Sequence, residues 1–291
     1  MSEIYKNSII NKPVSYTFSE KEQVLRDIMP RIITSSEPWN IIENDPVFIN
    51  EVILPVFLSL KRKWSMAYNF LKKQNIDKFI IKIIKHKLNL FYGEDKDIAS
   101  PALNAVAAFD KNTVLINKKD EFSNELLKKA LLHEIIHTLS ETLIKDVNKK
   151  DRLALSDYIK ENRPGIYQQI HLLHTNYLNK KEILIDKLKS LYKREDLKKN
   201  PSFYYGLFKK AALKHGCWIY PDIDSAGKSY RELIICANIT PENIEEFLIH
   251  SLSYYFGDKE EKNRLNQYEP KLFQILENEI IPLINNLISP D

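Results

Sequence analysis

Hydrophobic residues recur along most of this chain at intervals of three and four positions, with lysine and other polar residues between them. This spacing places the apolar side chains on one face of a helix and predicts a mainly helical protein. Short segments near the middle of the chain alternate instead and predict strands. Only 6 glycines and 13 prolines occur, so we expect few flexible linkers. The predicted fold class is α+β, mainly helical.

The pattern divides the chain into three regions that we expect to pack as one unit. They are an N-terminal helical region at 1–77, a central region at 78–200 that contains the strands, and a C-terminal helical region at 201–291. In the first region, Ser19 is the expected N-cap of a helix, because its hydroxyl can accept a hydrogen bond from a first-turn amide. The following segment, "DPVFINEVILPVFLSLKRKWSMAYNFLKK", is predicted to be helical with a break near Pro55.

Two strand candidates come before the central helix. "KFIIKIIKHKLNLFYGE" is rich in Ile and Phe and predicts a strand or hairpin before the turn at Gly93. "NTVLINKK", Asn112 to Lys119, predicts a second strand and follows the small-residue stretch "SPALNAVAAFD". Both strands therefore lead into the helix that carries the chemistry discussed below.

Capping residues mark the helices that follow. Ser123 is the expected N-cap of a helix that runs to about Val147. Further helices are predicted from Asn179, before Gly216, and between Thr240 and Gly257, with Thr240 as the cap and Pro241 as the first helical residue.

Charge and composition restrict the classes of function. The chain has 43 Lys and Arg against 39 Asp and Glu, and the basic residues are scattered, which favours a solvated surface over a nucleic-acid site. Cys217 and Cys236 are too few for a disulfide framework and are expected to be packing residues. We expect no membrane span, because no apolar run approaches about 20 residues. The first residues lack a Sec signal pattern, so we expect a cytoplasmic protein or one exported without such a signal.

The segment "HEIIH" carries the strongest chemical signal. His133 and His137 are one helical turn apart, so both imidazoles can bind one metal ion, and Glu134 between them can act as general base toward water. Apolar neighbours on both sides fit a helix that passes through a core. The pattern favours a catalytic Zn²⁺ site, which needs a third protein ligand. The alternative is a pair of core histidines.

Two helical carboxylates compete for the place of third ligand. Glu182 lies 45 residues after His137 and has Asp186 one turn further on, where it can support a zinc histidine. Glu246 lies 109 residues after His137 and has His250 one turn further on. We favour Glu182, since only Glu182 is followed by a carboxylate, but the spacing does not exclude Glu246.

On "HEIIH" and "EILID", Glu182 to Asp186, the chain resembles the gluzincin metallopeptidases. The resemblance covers about residues 78–195 and implies a zincin-like catalytic core at 78–200. It implies His133, His137 and Glu182 as zinc ligands, Glu134 as general base and Asp186 as the support of a histidine. A competing resemblance joins "IEEFLIHSLSYYF" to the glutamate helix of the anthrax lethal factor-like peptidases and implies Glu246 as the ligand. That family has a second glutamate where this chain has His250.

Further parts of the chain are similar to elements of the same enzymes. "NTVLIN" resembles the edge strand on which they bind an extended substrate, and "SPALNAVAAFD" resembles a segment found ahead of HExxH helices. Tyr177, His174 and His171 lie where some gluzincins keep an oxyanion donor, and we favour Tyr177.

The sequence thus predicts a zinc endopeptidase that acts on a protein or peptide substrate. The alternatives are a helical interaction protein with a structural or vestigial HExxH, and a zinc hydrolase that acts on another substrate. A composition rich in Lys, Ile and Asn suggests an AT-rich bacterial genome, and a bacterial effector acting in a host cell is a further hypothesis. The sequence gives no oligomeric state.

Overall fold

The computed structural model of the protein describes residues 18–34, 45–74, 79–84, 107–110, 113–117, 123–148, 154–191, 210, 213–214, 216–218 and 243–289. Within these ranges, the side chains of 18–19, 33–34, 82, 84, 107–110, 115, 117, 144–148 and 181–191 are not described. The described chain is mainly helical with one small sheet, which confirms the α+β class. None of the described helices is long and apolar enough to cross a membrane.

The helices are α1 (Phe18–Ile28), α2 (Pro46–Phe48), α3 (Leu54–Lys63), α4 (Ser65–Lys73), α5 (Asn124–Asn148), α6 (Leu155–Asn162), α7 (Pro164–Leu191), α8 (Ile244–Phe256), α9 (Lys259–Tyr268), α10 (Pro270–Ile275) and α11 (Ile281–Ile288). The strands are β1 (Ile32–Thr34), β2 (Ile80–Ile84), β3 (Ala107–Asp110) and β4 (Thr113–Asn117). A 3₁₀ turn, Met29–Arg31, joins α1 to β1.

Two wide, π-helical segments precede prolines. Ile49–Ile53 leads into α3, which has Pro55 in its first turn, and Leu276–Ile280 leads into α11, which has Pro282 in its first turn. A proline ring has no amide hydrogen and clashes with the carbonyl four residues earlier, and a wider turn relieves that clash. The predicted break near Pro55 is therefore wrong, and the chain changes direction at Trp64 between α3 and α4 instead.

Several helix boundaries differ from their predicted positions by a turn or more. α7 begins at Pro164, so Asn179 lies in its interior and is not its start. α8 begins at Ile244 and is capped by Asn243, whose side chain accepts from the Glu246 amide, so the predicted Thr240 cap is wrong. Several residues before a helix can accept a hydrogen bond from a first-turn amide, so the sequence alone does not determine which of them is the cap.

Other local predictions are confirmed. Ser123 caps α5 by accepting a hydrogen bond from the amide of Leu126 at 3.2 Å. Gly216 has a positive φ of 71°, the conformation in which glycine ends a helix. By contrast, the predicted Ser19 cap is wrong, because α1 begins at Phe18 and Ser19 lies within its first turn. Cys217 is buried, as expected of a packing residue, and Cys236 lies outside the described residues.

The sheet has the order β1-β2-β4-β3, with β3 antiparallel to β4 and the other pairs parallel. β4, the strand predicted to receive a substrate, is paired on both sides and has no open edge. That prediction is wrong for β4, because strand addition needs unpaired amides and carbonyls along one edge. Among the described strands, β3 is the edge strand on that side.

α8 is the central helix of the core. Nine of its 13 residues are buried, on every side of the helix, which is the pattern of a helix enclosed by other elements. It packs against α5, α6 and α7, and against α9, α10 and α3. The same hydrophobic cluster continues from Val24 on α1 to Ile284 on α11, so helices from both ends of the chain share one core with the sheet.

Arg31 links the first elements to the sheet. Its guanidinium donates to the carbonyl oxygens of Lys72 and Gln74, each at 2.6 Å, and lies against the ring of Phe79. The side chain is buried, so these carbonyls depend on Arg31 for their hydrogen bonds.

We expect Arg31→Met to lower the free energy of unfolding by about 2 kcal/mol, because partly buried carbonyls lose a charged donor. Urea denaturation followed by circular dichroism measures this change. Arg26→Met is the matched control, since Arg26 is exposed on α1. Equal losses in the two variants would contradict the linking role of Arg31.

Candidate metal centre

α5 presents the two histidines of the HEIIH segment on one face. The Nε2 atoms of His133 and His137 are 3.1 Å apart, and their side chains are 13% and 16% exposed. The opposite face of the helix buries apolar side chains in the core, including Leu131, Ile135 and Leu139. The helix is thus fixed by packing while both imidazole rings remain accessible from one side.

A carboxylate from α8 meets this pair of histidines. Oε2 of Glu246 lies 3.3 Å from Nε2 of His133, and Oε1 lies 3.2 Å from Nε2 of His137. Glu246 stands in the first turn of α8, where its own amide is bound by the Asn243 side chain. A carboxylate is electrostatically favoured at this end of a helix.

The neighbouring Glu245 fixes how α8 meets α6. Its Oε2 accepts a hydrogen bond of 2.7 Å from the Ser156 amide, in the first turn of α6. The N-cap of α6 is Ala154, whose side chain cannot cap a helix, so Glu245 supplies the missing acceptor. Burial raises the pKa of Glu245, and the bond from Ser156 offsets part of that effect.

The donor atoms of these residues are spaced closely enough to bind one small divalent cation. Zinc binds imidazole nitrogen and carboxylate oxygen at about 2.0–2.1 Å, so two ligand atoms of a tetrahedral site lie about 3.3 Å apart. The two Nε2 atoms are 3.1 Å apart, and each lies 3.2 or 3.3 Å from a different oxygen of Glu246. If both nitrogens donate to Glu246, two N–H groups face each other at this short distance. A cation shared by the nitrogens and the carboxylate would remove that unfavourable contact.

The electrostatics of the triangle favour an ionised carboxylate. Burial by itself would raise the pKa of Glu246, but the hydrogen bonds with His133 and His137 outweigh burial and hold this pKa far below its usual range. For His137, burial would lower the pKa, but the Glu246 carboxylate and the charges of Glu134 and Glu245 together raise the pKa above 6.5. The negative charge of Glu246 therefore favours a positive charge, either a proton or a metal ion, at the histidines of α5.

His250 adds a third imidazole to the cluster. It follows Glu246 by one turn of α8, and its ring centroid lies 4.3 Å from that of His133 with the planes inclined by 44°. Ligand atoms of His133, Glu246 and His250 all lie within 4.8 Å of one another. Among the described residues, Nδ1 of His133 is buried and has no hydrogen-bond partner.

The other site residues predicted from the sequence have different outcomes. Glu134 is part of the cluster electrostatically, since its charge acts on His137. The favoured third ligand, Glu182, and its partner Asp186 lie on α7, but their side chains are outside the described residues. Tyr177 is fully buried, with its ring against Trp218 and Phe247, and its role as an oxyanion donor stays a prediction.

Two residues of the site were not recognised as such in the sequence. His250 is one turn after Glu246 and therefore on the same helix face, but the sequence assigns it no role of its own. Glu245 gave no local signal, because its partner Ser156 lies 89 residues away in the chain.

Comparison of the chain with protein-family models, with curated proteins and with solved structures found no match.

We expect wild-type protein, loaded with zinc and dialysed, to retain about one zinc per chain. Glu246→Ala should lose it, because two imidazoles alone hold the ion weakly, whereas Glu182→Ala should keep it. Elemental analysis measures the metal, and circular dichroism checks that each variant is folded.

Glu279→Ala is the matched control, since Glu279 is an exposed glutamate of the same C-terminal region. Zinc lost with Glu182→Ala and kept with Glu246→Ala would reverse the assignment of the third ligand.

Zinc affinity should fall with falling pH. Zinc needs neutral His137, whose pKa is raised above 6.5, while Glu246 stays ionised to far lower pH. The apparent dissociation constant should therefore rise as the pH falls through the raised pKa of His137, by about tenfold per pH unit for each protonated ligand. Competition with a chelator of known affinity between about pH 5.5 and 8 measures this. A constant value over that range would show that no imidazole binds the metal.

Proposed function

We propose that this protein is a zinc-dependent endopeptidase with His133, His137 and Glu246 as the metal ligands. The observation that carries the proposal is the contact of the HEIIH helix with α8: the two Nε2 atoms lie 3.1 Å apart, and each lies 3.2 or 3.3 Å from one oxygen of the Glu246 carboxylate. Glu134 belongs to the same turn of α5 as the two histidines. Two imidazoles, one carboxylate and an adjacent glutamate form the set that metal-assisted hydrolysis of a peptide requires.

Glu246 is proposed as the third ligand because its carboxylate contacts the two histidines. The carboxylate of Glu246 touches both imidazoles, and helix capping at Asn243 and Ser156 holds that part of α8 in place. The contact of Glu246 with both imidazoles supports the resemblance of "IEEFLIHSLSYYF" to the glutamate helix of the lethal factor-like peptidases. Glu182 remains the alternative on the basis of its "EILID" motif.

Zinc in this site would polarise the scissile carbonyl and lower the pKa of water toward about 7. The carboxylate of Glu134 takes a proton from the attacking water, and the water oxygen forms a bond to the carbonyl carbon. The electron pair of the carbonyl moves to its oxygen. When that pair returns, the carbon–nitrogen bond breaks, and Glu134 gives the proton to the leaving amine.

The sheet offers a place for the substrate backbone. β3 pairs with β4 along one edge, and among the described strands nothing pairs with its other edge. α5 contacts both β3 and β4, so this edge lies next to the helix that carries the histidines. An extended peptide would add to β3 through backbone hydrogen bonds, which do not depend on the side chains of the substrate.

Glu134→Gln tests the proposal. We expect this variant to keep zinc and its fold but to lose about 10²- to 10⁴-fold in kcat, because the amide cannot take up a proton. Wild-type protein is incubated with a denatured cell extract, new amino termini are identified by mass spectrometry, and a peptide spanning a cleaved site is then assayed.

Glu279→Gln serves as the control at an exposed position, and a chelator should abolish cleavage by the wild type. Zinc-loaded wild type that cleaves no protein in the extract would refute the peptidase. If the folded wild type also holds no zinc, the helical interaction protein becomes the better account. Delivery into a host cell is a separate prediction.

A further inference from the structure

His250 has no role in the mechanism above, yet it lies within the metal centre. Glu246 and His250 are four residues apart on α8, so their side chains leave the same face of the helix. His133 and His137 have the same spacing on α5, and the two helices pack against each other. Four polar side chains thus converge from two facing helices.

The geometry gives His250 a position different from that of the three ligands. The Nε2 atoms of His133 and His137 face the Glu246 carboxylate, whereas His250 lies against the ring of His133, with 4.3 Å between ring centroids. A ring nitrogen of His250 is within 4.8 Å of ligand atoms of His133 and Glu246. A side chain this close to two ligands of a tetrahedral ion can contact a group in the fourth position.

In a peptidase that fourth position faces the scissile carbonyl. Negative charge develops on the carbonyl oxygen as water attacks, and a fixed hydrogen-bond donor at that oxygen accelerates the reaction. An imidazole N–H is such a donor. Tyr177, the donor favoured from the sequence, is enclosed by Trp218 and Phe247 and is fully buried, whereas His250 is only partly buried.

We propose that His250 is a catalytic residue that donates an N–H hydrogen bond to the carbonyl oxygen of the scissile peptide. This inference rests on the proposed peptidase function. As the carbonyl electron pair moves to oxygen, the N–H of His250 stabilises the charge without transferring its proton. The pair then returns to form the new carboxyl group, and the hydrogen bond weakens again.

The test compares wild type with His250→Ala and His250→Gln, because the glutamine amide keeps an N–H donor. The first readout is zinc content and zinc affinity. The second is the dissociation constant of a phosphonamidate peptide, whose tetrahedral phosphorus oxygens imitate the oxyanion, measured by calorimetry. The third is kcat and KM on the cleaved peptide. Glu134→Gln is the comparator, and thermal unfolding checks the fold of each variant.

We expect His250→Ala to keep stoichiometric zinc, to bind the phosphonamidate about 10- to 100-fold more weakly, and to lose about 10²- to 10³-fold in kcat with little change in KM. His250→Gln should recover part of both losses. Glu134→Gln should lose kcat but retain zinc.

Two outcomes would overturn the role of His250 alone. Loss of zinc in folded His250→Ala would make His250 a fourth ligand, and unchanged kcat with unchanged phosphonamidate binding would remove it from the reaction. Failure of the proposed function looks different, because zinc-loaded wild type would then neither cleave peptides nor bind the phosphonamidate. That result would overturn both proposals together.

Discussion

The contact between α5 and α8 is the constraint on which the rest of the structure depends. α8 has buried residues on all sides, so it depends on other helices that enclose it. α5 supplies one wall of that enclosure and also lies against the sheet. Burial of these two helices brings the polar first turn of α8 to the turn of α5 that carries the histidines, so the hydrophobic core sets the geometry of the candidate metal centre.

An ionised carboxylate near the core destabilises the fold unless it has partners, and three such carboxylates in this region have them. Glu246 is held between two imidazoles, and Glu245 accepts from the first turn of α6. Glu261, which is buried, caps α9 with Asp258 and lies 3.2 Å from the ammonium group of Lys129 on α5. Burial raises the pKa of Glu261, and the charge of Lys129 opposes that rise. These pairs link α8 to α5 and α6, and α9 to α5, and so specify which residues meet where hydrophobic packing alone leaves the register loose.

Glu246 differs from the other two carboxylates in the chemistry of its partners. Glu245 is bound by a backbone amide and Glu261 is paired with an ammonium group, and both arrangements are complete. Glu246 faces two imidazole nitrogens that lie 3.1 Å from each other, and a shared cation would remove the repulsion between their N–H groups. A structural carboxylate and a candidate metal ligand are thus next to each other in the sequence.

The local parts of the fold could be predicted because short-range rules decide them. The Ser123 cap, the helix stop at Gly216 and the strand at 113–117 follow from a few neighbouring residues. The start of α8 could not be predicted, because several residues before the helix can act as its cap. The continuous helix through Pro55 could not be predicted either, because a π-helical segment can accommodate a proline. The position of β4 inside the sheet depends on pairing with β2, about 33 residues earlier in the chain, and hydrogen-bond partners at that distance leave no local pattern.

The same division applies to the candidate site. The sequence by itself determined that His133, Glu134 and His137 share one helical turn, because the helical repeat fixes which residues lie on one face. Motif spacing favoured Glu182 over Glu246 as the third ligand. It did not exclude Glu246, because each glutamate has a second polar residue one helical turn further on. Only the tertiary structure brought Glu246 and His250 to the histidines, because that approach depends on how α8 packs against α5 across more than 100 residues of chain.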